Sequence, residues 1–246
     1  MLDRLSSISE SSSWRLPLGV QYRRSGRQNI SIGRNIALET GCEYGDVLVM
    51  TDDDCVPELT WIDRLLDTHE RMGAESVSGP LVLDLPDDAP SWIREQQVFD
   101  FDHPPIPEGT VLDIGQTNNS LLDVSWLRSH PQPRDPEFGR TGGEDMMFLH
   151  GAIRLGMRSV HSAEARVHQH EPLDDLTYRA MFRARYWWGN SEAVTTVSSF
   201  NASRPRVFIR GGKRMLLAFA MPVRRLGGRR APHSRSLPWP VPRRRE

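Results

Sequence analysis

The chain has 246 residues, 38% of them hydrophobic and 26% charged, with a formal charge of −1. This is a globular composition that excludes a fibrous or low-complexity protein, and the length suits one large α/β domain or two small ones with a real core. Two cysteines, Cys42 and Cys55, exclude a disulfide framework. No apolar run approaches the ~20 residues of a membrane span, and the serine-rich start does not read as a secretory signal. A reducing cytoplasm is the expected compartment.

The near-neutral total hides an asymmetry. From Asn201 onward there are 13 basic residues against the single acid Glu246. The preceding 200 residues are therefore acidic, and residues 201–246 read as a basic, Arg- and Pro-rich tail. Such a composition suits a simple disordered tail, or one that lies on an anionic membrane surface, where each basic residue contributes ~1 kcal/mol. No stacking or base-reading motif accompanies it, which argues against nucleic acid.

In chain order, Met1 to Ser13 carries a weak helical pattern, and Arg15 to Tyr22 alternates as an edge strand. A helix is expected from Ser31, stopped by Gly41. Val47 to Met50 form a strand suited to burial on both faces. A helix follows from about Glu58 to Met72, with Trp61, Ile62, Leu65 and Leu66 as its apolar face. Ser76 to Leu83 reads as a strand broken by Gly79-Pro80. Pro86 to Pro107 reads as a long ordered loop carrying Trp92, Ile93, Val98, Phe99 and Phe101. Val111 to Leu122 reads as a strand interrupted by the polar run Gln116 to Ser120. After a turn-rich segment, a helix runs from Glu144 to about Leu155, a strand from Ser159 to His170, and an Arg- and aromatic-rich helix from Leu176 to about Thr196. Alternating strands and helices predict an α/β fold with a mostly parallel sheet.

The strand at Val47 to Met50 runs into Asp52-Asp53-Asp54 and stops at Pro57. The acids thus fall at a strand's carboxyl end, where open α/β sheets bind ligands. Three adjacent carboxylates repel one another unless a cation screens them, and Mg²⁺ or Mn²⁺ is the natural partner, usually shared with substrate phosphates. The plain alternative is an acidic turn that caps the next helix.

A second acidic pair, Glu144-Asp145, follows Gly142-Gly143 at a helix start. The helix N-terminus favours carboxylates as anions, so the pair is biased toward a base-competent form. First-turn acids that merely complement the helix dipole are the alternative. Together, the two clusters divide the labour of moving a sugar from a nucleotide diphosphate: one for a metal-bound diphosphate, the other for a proton.

Asp52-Asp53-Asp54 after a hydrophobic strand resembles the D-x-D signature of nucleotide-sugar transferases. Glu144-Asp145, about ninety residues later, resembles the acceptor-side E-D motif of the inverting glycosyltransferase family 2. Arg34-Asn35 resembles the helix before the D-x-D strand in that family. Gly79-Pro80, Ala89-Pro90-Ser91-Trp92, Asn119, and Phe138-Gly139 through Asp145 resemble its succinoglycan-type exopolysaccharide glucosyltransferases. The resemblance covers roughly Leu16 to Ser191.

The resemblance implies a Rossmann-like GT-A fold over residues 1–200, acting on a nucleotide-diphosphate sugar, expected to be a UDP-sugar, and on a glycan or lipid-linked acceptor. It implies Asp52 and Asp54 at the ribose and metal, with His170 of His168-Gln169-His170 as a further candidate ligand. It implies Asp145 as the base, Glu144 orienting it or binding acceptor, and Arg34, Asn35, Asp52, Asp53 and Arg183 on the donor side. The expected location is cytoplasmic, peripheral to the inner face of the plasma membrane. Family members begin with two further strands bearing Pro-x-Tyr-Asn-Arg and a base-binding Asp, and neither is found here. A chain truncated at its N-terminus is the expectation, and a non-catalytic or glycan-binding remnant is the alternative to an enzyme.

Overall fold

The computed structural model describes residues 22–96, 105–113, 115, 117–132, 134–139 and 142–200. The elements expected at Met1 to Ser13 and over 15–21, the loop residues Val98, Phe99 and Phe101, and the basic tail lie outside the described residues. In order, the elements are α1 (Ile30–Tyr44), β1 (Val47–Thr51), β2 (Cys55–Pro57), α2 (Trp61–Met72), β3 (Ser76–Ser78), β4 (Leu81–Asp84) and α3 (Ser91–Gln96). Then come β5 (Asn119–Asp123), α4 (Val124–Ser129), α5 (Glu144–Arg154), β6 (Ser159–His161), β7 (Val167–His170), a 3-10 turn (Leu173–Asp175) and α6 (Tyr178–Phe200).

The strands form two sheets, ordered β1-β5-β3-β6 and β2-β7-β4. β5 runs antiparallel to both β1 and β3, and β2 antiparallel to β7; among the described residues only β3–β6 and β4–β7 are parallel. The mostly parallel sheet is therefore corrected to a mixed one. Apolar runs report burial, not strand direction, and Val111 to Leu122 is not one strand. Its first part contributes only an isolated bridge, Val111 to Val160.

The chain crosses from the first sheet to the second three times: at Asp52–Asp54 between β1 and β2, at Gly79-Pro80 between β3 and β4, and at 162–166 between β6 and β7. The second and third crossings split Ser76 to Leu83 and Ser159 to His170, each of which the sequence pattern reads as one strand. At the second crossing a Cβ on Gly79 would sit 2.0 Å from the Ala165 carbonyl oxygen, so only glycine lets these two crossings touch.

The first sheet is covered on both faces. On one, Trp61 and Leu65 of α2 pack with Val77, Leu121, Val160 and Val167. On the other, Leu38 of α1, Trp126 and Leu127 of α4, and Phe148, Leu149 and Ala152 of α5 pack with Leu122. β1 alternates accordingly, Val47 and Val49 toward the first cluster, Leu48 and Met50 toward the second. Burying a Leu- or Phe-sized side chain contributes about 1.5–3 kcal/mol, so these layers hold the strand ends that carry the acids.

Helix ends follow local chemistry, with one correction. The Asn29 side chain accepts the Ile32 N–H at 3.1 Å and starts α1. Gly41 does not end that helix, which runs to Gly45. Its glycine is needed for contact instead, because a Cβ there would lie 2.5 Å from Leu48 Cδ1. In α2, Trp61, Leu65 and Thr68 face inward and Ile62 is half-exposed, so the apolar face is narrower than expected. Gly73 at φ 57° closes α2 in the left-handed conformation.

Candidate active site

The residue that assembles the site is Arg34, on α1. Its side chain is 13% exposed, and its guanidinium spans the two acidic clusters. Nη2 donates to Asp52 Oδ1 at 2.8 Å, while Nη1 donates to Asp145 Oδ1 at 2.6 Å and also to Glu144 Oε1. Carboxylates separated by more than ninety residues thus meet on one cation. Burial alone would lower the Arg34 pKa, but Asp145, Asp52 and Glu144 together hold it above its ordinary value.

Glu144 and Asp145 open α5, whose N-cap is Gly143 at φ 93°, with Gly142 at φ 77° before it. A side chain is disfavoured at both positions on backbone grounds. A Cβ at Gly143 would also come within 2.9 Å of Ser191 Cβ on α6. Glu144 is buried. Burial, and then its neighbour Asp145, push its carboxyl above the ordinary value despite Arg34 and Arg134. For Glu144 the helix N-terminus therefore does not prevail as the sequence suggests. Asp145 Oδ2 accepts from the hydroxyl of Thr117. Thr117 is buried just before β5, within the polar run that interrupts the predicted strand; that interruption is the signal by which it could have been found.

Arg134 carries no such signal, since an arginine in Pro-Gln-Pro-Arg-Asp-Pro reads as exposed turn. In the structure its side chain is 0% exposed, and its Nε lies 3.5 Å from Asp145 Oδ1. Its guanidinium stacks 4.2 Å above the Phe148 ring. The Asn35 amide donates to the Arg134 carbonyl and accepts from its N–H, both at 2.8 Å. Each end of the Asn35 amide is thus engaged with backbone.

Asp52, Asp53 and Asp54 form the turn between β1 and β2, with Cys55 N–H donating to the Asp52 carbonyl at 3.3 Å. Asp53 is exposed. Asp54 faces the second sheet, its Oδ2 accepting from Gln169 Nε2 at 3.1 Å. The Cys55 thiol beside it is pushed up to about 11 by burial and by Asp54. Both cysteines are free. Because Cys55 pairs with Gln169 in the β2–β7 register, Asp54 and His170 fall at the next opposed positions, and His170 is exposed. His168 instead pairs Asp84 at 3.1 Å and Glu58 at 3.5 Å.

Arg183 is not among the residues that meet the acids. It is exposed on α6 and lines an open groove of about 610 Å³ with Asp174, Asp175, Arg179 and Tyr186. Trp92 of α3 stacks on Tyr178 of α6, ring centroids 4.2 Å apart, which ties the Pro-rich loop to that helix.

Among the described residues no three of His, Cys, Asp and Glu cluster as a metal cage. Mg²⁺ and Mn²⁺ do not need one, since they commonly take one or two carboxylates and complete their shell with water and substrate phosphate. The exposed, oxygen-rich Asp52–Asp54 turn, with one Asp52 oxygen on Arg34, fits a hard cation held in that way.

No family model matches the chain. It is similar to the succinoglycan biosynthesis protein ExoM of Rhizobium meliloti (strain 1021), 31% identical over 178 residues that cover 72% of this chain and 56% of ExoM. The chain thus spans little more than half the length of that curated relative. Among solved structures it resembles GalNAc-T7 with UDP, GalNAc and Mn²⁺, with a TM-score of 0.54 and 14% identity over 83% of this chain and 42% of that one. It resembles S. aureus TarS 1-349 with a TM-score of 0.50 and 15% identity over 83% and 56%. These likenesses show the fold, the Rossmann-like GT-A arrangement of the glycosyltransferases, and the likeness to ExoM bears out the resemblance read from the motifs.

Proposed function

We propose that this chain carries the transfer site of an inverting glycosyltransferase that moves a sugar from a nucleotide-diphosphate sugar to a glycan or lipid-linked acceptor in polysaccharide synthesis. The observation that carries the proposal is the single guanidinium of Arg34 joining Asp52 to Glu144 and Asp145. A donor-side acid and an acceptor-side acid pair held this close form one reaction centre rather than two unrelated acidic caps. The likeness to a succinoglycan biosynthesis protein, and to a fold solved with UDP, GalNAc and Mn²⁺, supports a UDP-sugar donor and a divalent metal.

In this reading Asp145 takes the proton from the acceptor hydroxyl, whose oxygen then attacks the anomeric carbon as the bond to the diphosphate breaks. Thr117 and Arg34 fix the two oxygens of Asp145, so the carboxylate is oriented before substrate arrives. Glu144, buried and bonded to Arg34, sets where that guanidinium sits. Asp52, Asp54 and His170 would hold the metal, which when bound stabilises charge on the diphosphate leaving group. Asp53, exposed on the same turn, and Arg183, on the groove of α6, would serve the donor side in this reading, and Asn35 would act from behind Arg134. The basic segment 201–246 would hold the protein on the cytoplasmic membrane face; no helix among the described residues is long and apolar enough to cross a membrane.

Calorimetry with UDP-glucose, UDP-galactose and UDP-GlcNAc, each with and without Mn²⁺, tests the proposal. Micromolar-to-millimolar binding that needs the metal is expected. Absence of metal-dependent binding to every nucleotide sugar tried overturns it.

A further inference from the structure

Three carboxylates, Asp52, Glu144 and Asp145, share the centre with two guanidiniums, Arg34 and Arg134. The two cations are held differently. Arg34 lies between the clusters, partly open to solvent, with bonds to carboxylates that the donor and its metal would also engage. Arg134 is sealed beneath Asp145. Its backbone is gripped by Asn35, its guanidinium lies over the Phe148 ring, and its side chain has no exposed surface.

A buried guanidinium stays charged and is expensive to desolvate. Here none of its three nitrogens makes a well-formed hydrogen bond. Fold stability alone would favour an apolar side chain at such a position. What Arg134 does have is a line to Asp145: Nε is 3.5 Å from Oδ1, in a medium where charges act strongly.

Resting on the reading of Asp145 as the base, we propose that Arg134 is a positioning residue for it, a fixed buried cation that holds the Asp145 carboxylate in place whether or not Arg34 is bonded to it. The groups facing Asp145 are Arg34 from α1, Arg134 from the preceding segment, Glu144 from its own helix, the Thr117 hydroxyl ahead of β5, and Asp52 through Arg34. Among the described residues Arg34 divides its ion pairs between three carboxylates, whereas Arg134 makes its one ion pair with Asp145.

The test measures sugar transfer by the full chain and reads kcat and KM separately. In Arg134→Met, kcat should fall about tenfold, while KM for the nucleotide sugar stays within about twofold and the melting temperature within a few degrees. Arg134→Lys, which keeps a cation, should recover part of the lost kcat. Unchanged kcat in Arg134→Met overturns the proposal, and so does a loss in Arg134→Lys as large as that in Arg134→Met. If neither variant folds, Arg134 is a structural residue and the proposal falls. The base assignment fails separately: near-normal sugar transfer by Asp145→Asn would remove it whatever the Arg134 variants do.

Discussion

Asn119 Oδ1 accepts the indole N–H of Trp61 at 2.7 Å, deep in the protein where neither side chain meets solvent freely. The Nδ2 of the same amide donates to the Pro80 and Ala165 carbonyls, at 2.9 and 2.8 Å. Those carbonyls belong to two of the three sheet crossings, and Asn119 itself pairs with Thr51, next to the third. One residue therefore meets all three crossings, two through its side-chain amide and the third through its place in the β1–β5 register.

Asn119→Asp should be more disruptive than its small change in shape suggests. A carboxylate accepts from Trp61 but cannot donate to Pro80 or Ala165, so the Ala165 carbonyl loses this donor, the Pro80 carbonyl keeps only the Val167 N–H, and both face a buried charge. Each unsatisfied buried group costs about 1–3 kcal/mol, so a loss of at least ~3 kcal/mol is expected in urea unfolding. A loss under 1 kcal/mol would show that water replaces the amide at this junction.

Gly79→Ala should fail for a steric reason. The new Cβ would collide with the Ala165 backbone oxygen, which no rotamer change can relieve. Loss of soluble, cooperatively melting protein is the expected outcome. Near-wild-type melting would mean that the crossings can separate without penalty.

Asp145→Asn removes the proposed base while keeping its shape and its contact with Thr117. Transfer should fall by at least about 10²-fold, and nucleotide-sugar affinity in calorimetry should stay within threefold. Equal losses in affinity and turnover would instead assign Asp145 to donor binding.

Arg34→Met leaves three carboxylates without their shared cation. Breaking a largely buried ion pair from one side costs about 3–5 kcal/mol. The double variant Arg34→Met with Glu144→Gln should recover part of that loss, because it removes the most buried acid of the three. A double-mutant cycle in urea reads the coupling, and simple additivity of the two changes would deny that the bridge acts as a unit.

Glu108 supplies the acid dependence. Although burial alone would raise its pKa, the Ala163 N–H at 2.7 Å, Thr68 at 3.0 Å and Arg71 at 2.6 Å hold it below the ordinary carboxylate value. The folded pKa lies below the unfolded one, so its contribution is present above the unfolded pKa and lost as pH falls through the folded pKa. Glu108→Gln should melt about 2–4 °C lower at pH 7, for ~1 kcal/mol of lost hydrogen bonding. The gap should narrow below about pH 4. A gap independent of pH would point to shape rather than charge.

The acids themselves were legible because their chemistry is local: three adjacent carboxylates at a strand end, and two after paired glycines, stand out in any register. Arg34 was legible through its motif, though its bridging role was not, since that depends on where α1 meets α5. Arg134 was opaque because its burial comes from Asn35, 99 residues away, and from Phe148 on the following helix. Gly41 misled for the same reason: a glycine demanded by contact with Leu48 looks in sequence like a helix stop. Strand direction was misjudged at β5, where hydrophobicity is silent.

The turn from Asp52 to Asp54 has its two ends on different foundations. Asp52 is bonded to Arg34 on the layer that covers the first sheet, and Asp54 is bonded to Gln169 in the second. The spacing of two neighbouring carboxylates is thereby a gauge of how the sheets sit against each other. In the proposed reading, a substitution near the seam mild enough to leave the fold intact would change that spacing, and with it the hold of the turn on a cation.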